Sequence, residues 1–180
     1  MPSARNSASS LTSIEGAALG VLVNQPMHGF ELAKSFEAGS WLGEVFTAQR
    51  PVVYRALKTL DSKSLLVTGP KETTGRGPAR TPVEVNAAGR QAFHRWVSTP
   101  VEHMRDVRVE LLVKLALHEH LGLDIQPFIA AQIEHFTPIY EALNASPVPS
   151  EGIDRYSALW RQQASHTTMR FLDMLRAGSP

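Results

Sequence analysis

Apolar positions recur at three- and four-residue spacing along most of the chain, with one short stretch where they alternate instead. Ala18, Leu19, Leu22 and Val23 form the first stripe and predict a helix over 12–24. Thr12 or Ser13 can cap it, Glu15 suits its first turn, and Gln25-Pro26 stops it, because a residue before proline avoids the helical region. After a turn at 26–30, Phe30, Leu32, Ala33 and Phe36 predict a short second helix over 29–36, ended by Gly39. A connector at 41–46 leads to a third helix over 47–64. Val53, Ala56, Leu57 and Leu60 face inward there, and Gln49, Arg50, Val52, Arg55, Lys58, Thr59 and Ser62 fall mostly on the other side. Pro51 is tolerable only near a helix start, which puts that start within a few residues before it.

The period then changes. Residues 65–68 and 81–85 read as two short strands, the second weakened by Pro82 and so suited to an edge, with a Gly- and Pro-rich loop between them. Asn86 caps a fourth helix over 87–98, with Phe93, Trp96 and Val97 as its buried candidates. Beyond Thr99-Pro100 the pattern is helical throughout: 105–121, a turn at 122–124, 125–145 with a bend available at Pro138, a linker at 146–150, and 153–177. In the last segment Ile153, Tyr156, Trp160, Ala164, Thr167, Phe171 and Met174 step at the spacing of a helix–helix seam. The expected architecture is mainly α: a winged helix-turn-helix of three helices plus a β-hairpin wing, then an all-helical domain. The expected division is a disordered tail over 1–11, a DNA-binding domain over 12–98 and a helical domain over 99–180.

Charge sharpens this picture. The chain of 180 residues carries a net charge of only +1, yet the window 47–95 holds nine Lys and Arg against three Asp and Glu. A helix with an apolar inner face and a cationic outer one fits the DNA major groove, and a basic hairpin tip reaches the backbone beside it. The same window also suits an ordinary solvated face. Gln49, Arg50, Arg55 and Lys58 are the candidate contacts from the third helix, with Arg55 or Lys58 alternatively pairing with Glu31 or Glu37. Tyr54 either gives its hydroxyl to a phosphate or serves the core with a wet tip. Lys71, Arg76 and Arg80 are the wing candidates, and His28 lies where a helix-turn-helix touches the backbone or simply shapes its own turn.

Other chemistries find less support. There is no cysteine, which removes disulfides and thiolate sites. His118-Glu119-His120 puts two imidazoles two residues apart, a spacing at which helical side chains diverge, so no metal or other cofactor is expected. No serine elbow, phosphate loop or catalytic carboxylate pair is visible, so no enzyme is expected. No apolar run reaches membrane length and no secretory signal precedes the first helix, which together suggest a cytoplasmic protein. Phe30, Trp41, Trp96 and Trp160 could line an effector cavity, or be core.

These residues resemble the winged-helix domain of PadR-type regulators. The resemblance runs through Ala18-Leu19-Gly20-Val21-Leu22, Pro26-Met27-His28-Gly29-Phe30-Glu31-Leu32, Val53-Tyr54-Arg55-Ala56-Leu57-Lys58-Thr59-Leu60, Gly75-Arg76-Gly77-Pro78-Ala79-Arg80 and Ala88-Gly89-Arg90. Residues 105–115 and 169–175 are similar to the first and the closing helix of the family's longer C-terminal domain. The chain departs from the pattern at Arg50-Pro51 and in the second wing strand, which lacks the usual aromatic pair. The resemblance implies a homodimeric regulator on an approximately palindromic operator in double-stranded DNA, with an all-helical dimerisation domain and repression relieved by a small aromatic effector. The alternative is a winged-helix module that holds a protein on the same surface.

Overall fold

Thr12 opens the first helix by a reciprocal cap. Its hydroxyl accepts from the Glu15 N–H at 3.4 Å, and the Glu15 carboxylate accepts from the Thr12 N–H at 2.9 Å. The computed structural model describes residues 11–69 and 81–178. Leu11, expected to end a tail, is buried in the first core. Helix α1 (Ser13–Leu22) is followed by α2 (Gly29–Lys34), two residues shorter than its apolar pattern predicts. Phe36 is still buried, but from a turn in which its N–H donates to the Ala33 carbonyl.

Helix α3 (Arg50–Ser62) begins at Arg50 with Gln49 as its N-cap, so Pro51 falls in the first turn, where a missing N–H costs nothing. Strands β1 (Leu66–Thr68) and β2 (Val83–Val85) pair antiparallel, with Leu66 opposite Val85 and Thr68 opposite Val83. One partner is not visible in the strand pattern. Met27, expected to lie in a plain turn, exchanges both backbone bonds with Val83, at 3.1 and 2.9 Å. That bridge ties β2 to the chain just before α2. Helix α4 (Ala87–Ser98) starts where Asn86 accepts from the Gly89 N–H at 2.8 Å.

The fifth helix is less regular than a continuous stripe over 105–121 predicts. A 3₁₀ turn (Met104–Asp106) and a π turn (Val107–Leu111) precede α5 (Leu112–Leu121). Gly122 ends it in the left-handed region at φ 63°. Helix α6 (Gln126–Ala145) continues through Pro138, with the Thr137 hydroxyl donating to the Ile133 carbonyl. Helix α7 (Gly152–Arg176) packs along α6.

Two cores result. The first gathers α1 to α4 and the wing strands around Leu19, Leu22, Leu32, Phe36, Leu60 and Phe93, and takes in Val113 and Leu117 of α5. The second joins Val101, Leu111, Phe128, Ile129, Phe136 and Leu172. Helix α5 therefore has one side in the first core, while the π turn before it feeds the second.

Candidate nucleic-acid interface

Burial divides α3 as the periodicity demands. Val53, Ala56, Leu57 and Leu60 are buried, and Gln49, Arg50, Tyr54, Arg55 and Lys58 are exposed. Gln49 makes no side-chain cap bond, so its amide is not committed to the helix end. Among the described residues Arg55 and Lys58 make no ion pair. The acidic partner expected for one of them is taken instead by Arg50, whose Nη2 lies 2.8 Å from Glu37 Oε1. Tyr54 is half exposed, and its ring packs beside Gly29, where a Cβ would come within 2.9 Å of Cε1. The phenol thus joins the start of α2 to the outer face of α3. His28 is the N-cap of α2, and its backbone N–H donates to the Glu31 carboxylate at 3.3 Å.

Part of the positive window serves the fold rather than a partner. Lys63 reaches the buried Glu15 carboxylate at 3.0 Å and pins the end of α3 to the start of α1. Arg90 bonds the Val23 carbonyl and pairs with Glu84 at 3.5 Å, which locks α4 to α1 and β2. Lys71, Arg76 and Arg80 lie outside the described residues.

The four aromatics occupy separate settings. Phe30 is exposed beside Arg50 and Lys34. Trp41 stacks on His120 with ring centroids 3.9 Å apart. Trp96 is buried under Gly16 of α1, its ring faces the Lys114 ammonium at 4.9 Å, and its indole N–H meets no acceptor among the described residues. Trp160 is exposed on α7. His118 stacks on Phe128 of α6 while His120 stacks on Trp41 of the connector, so the two imidazoles face different segments.

One charged group escaped the sequence reading. Lys114 is fully buried, its ammonium 2.7 Å from the Glu110 carboxylate and 2.7 Å from the Thr99 carbonyl at the end of α4. Burial pushes this amine below its ordinary value, against the opposing pull of Glu110. A lysine inside an apolar stripe at three- and four-residue spacing was the available signal.

Three helices with a cationic outer face on the third, followed by a paired hairpin, define a winged-helix protein. Residues 18–95 match the model of the family described as "Transcriptional regulator PadR-like family". The winged-helix part of this chain is thus similar to that family of transcriptional regulators. Solved structures that it is similar to include Bacillus subtilis PadR in complex with operator DNA, at 16% identity and TM-score 0.49, covering 94% of this chain and 99% of that one. A PadR-like transcriptional regulator from Bacillus cereus is 18% identical at TM-score 0.42, over 96% and 98% of the two chains. Bacillus subtilis PadR in complex with p-coumaric acid is 18% identical at TM-score 0.39, over 92% and 94%. No curated protein matches the chain in sequence.

Proposed function

We propose that this protein is a sequence-specific DNA-binding repressor that works as a homodimer and is released by a small aromatic effector. The observation that carries the reading is the division of α3, with four apolar side chains inside and Gln49, Arg50, Tyr54, Arg55 and Lys58 outside. Arginine takes guanine bidentately and glutamine takes adenine, so these residue types suit a major groove. Lys71, Arg76 and Arg80 are assigned to the wing contact, and His28 to the backbone beside α2. A twofold pair of such domains would place two α3 helices about 34 Å apart on an approximately palindromic site. The Arg55→Ala, Arg76→Ala double variant should remain folded and dimeric and lose operator binding in a mobility-shift assay. Retained binding would remove these residues from the interface.

Support for an effector comes from Trp96, a buried indole donor without an acceptor among the described residues and beside a buried ammonium. Such a donor is costly unless something fills its place. A phenolic acid that binds there should raise the melting temperature, and Trp96→Phe, which keeps an aromatic ring but loses the pyrrole with its N–H, should weaken that ligand about tenfold. An unchanged affinity would locate the effector elsewhere.

A further inference from the structure

Phe30, Lys34, Glu37 and Arg50 meet where the end of α2 faces the start of α3. The Arg50 guanidinium carbon lies 4.7 Å from the Phe30 ring centroid, and Lys34 Nζ lies 4.8 Å from the same centroid. Glu37 Oε1 accepts from Arg50 Nη2 at 2.8 Å and from Nε at 3.3 Å. A planar guanidinium laid over a ring and gripped by a carboxylate has lost much of its rotamer freedom. Glu37 is itself anchored, because its carbonyl accepts from the Ser40 N–H at 3.1 Å and the Ser40 hydroxyl at 2.8 Å. The pair nonetheless stands in water, with the two side chains 52% and 47% exposed, so another anion can compete for it.

A phosphate offers guanidinium the same acceptor geometry as a carboxylate. Resting on the reading of α3 as the DNA-facing helix, we propose that Phe30 is a positioning residue that holds Arg50 for a backbone phosphate, and that Glu37 occupies that phosphate's place until DNA displaces it. On binding, the Nε and Nη2 donors pass from the carboxylate to phosphate oxygens and no covalent bond changes. Glu37 opposes DNA in both states. It competes for Arg50 in the free protein and repels the phosphate in the complex. Lys34, on the same ring, adds a second cation to the corner. The arrangement trades affinity for selectivity, because a site must supply enough further contacts to offset the displaced carboxylate.

The test uses the full chain and a labelled mixed-sequence duplex about 30 base pairs long, followed by fluorescence anisotropy between about 50 and 200 mM KCl. Glu37→Gln should tighten binding about threefold to fivefold at the low-salt end. It should also steepen the dependence of log affinity on log salt by up to about 0.9, the share of one phosphate. Placed on Arg50→Ala, the same substitution should give a clearly smaller gain, because only the repulsion is left to relieve. Phe30→Leu should weaken binding although it changes no charge, and Phe30→Tyr should restore it. An equal gain from Glu37→Gln with and without Arg50 would reveal a generic charge effect and overturn the exchange. Phe30→Leu binding as tightly as the parent would overturn the positioning role. If the parent protein showed no salt-dependent binding, the DNA reading would fall and this inference with it. If the parent bound and all the variants matched it, only this inference would fall.

Discussion

Ser64 sits just past α3 with φ 56°, a left-handed backbone that favours glycine. The closing bonds demand it, since Leu65 N–H reaches the Leu60 carbonyl at 3.0 Å and Ser64 N–H the Asp61 carbonyl at 2.8 Å. A side chain held there costs about 1 kcal/mol. Ser64→Gly is therefore expected to raise stability by about 0.5–1 kcal/mol, seen as a higher urea midpoint with an unchanged slope. Lys114 gives the opposite kind of residue. Lys114→Ala leaves Glu110 and the Thr99 carbonyl without their cation and should cost about 3 kcal/mol, more than Lys114→Met, which refills the space. Burial holds it below the ordinary lysine value of 10.5, so approaching that pH the unfolded chain holds a proton the folded one has shed. Stability relative to Lys114→Met should then rise with pH in the range just below 10.5, as paired chemical melts would show. At this scale the outward residues of α3 are legible in sequence, because helical period alone fixes which side they take. The partner of Arg50 is not, since its meeting with Glu37 depends on the turns between α2 and α3.

At the scale of elements, caps and close packing decide the outcome. The start of α4 is readable from Asn86, a local signal that needs no tertiary partner. The Met27–Val83 bridge is not readable, because it joins residues distant in sequence, and the π turn before α5 interrupts a pattern that reads as one continuous helical stripe. Gly16 and Gly20, one turn apart on α1, look like mere composition until their neighbours are known. A Cβ on Gly16 would lie 2.5 Å from the Trp96 ring, and one on Gly20 would lie 2.4 Å from Leu117. The two bare positions let α4 and α5 close onto α1. Gly20→Ala should destabilise by about 1–3 kcal/mol through overpacking, measured by thermal or urea unfolding.

For the whole molecule, the two faces of α7 differ in what they meet. Its inner face buries Ser165, Thr168 and Leu172 against its own chain. Of the seven seam positions predicted from spacing, Ile153 is 78%, Tyr156 64% and Trp160 74% exposed. Side chains of this size in a row on a surface mark an interaction face. Trp160→Glu with Tyr156→Lys is expected to give a folded monomer in size-exclusion chromatography with light scattering, and to weaken operator binding at least about tenfold by removing bivalency. An unchanged dimer would move the interface off this helix.

The placement of α5 has a mechanical corollary. Val113 and Leu117 are set in the same core as α1 and α4, and Leu111 and the His118–Phe128 stack engage α6. A shift of the rear helices cannot stay local. It must either turn this shared shaft against the wing-bearing half or prise two leucines and a valine out of their sockets. Packed interiors do not bend gradually, so motion delivered at α6 arrives at α1 as a discrete step.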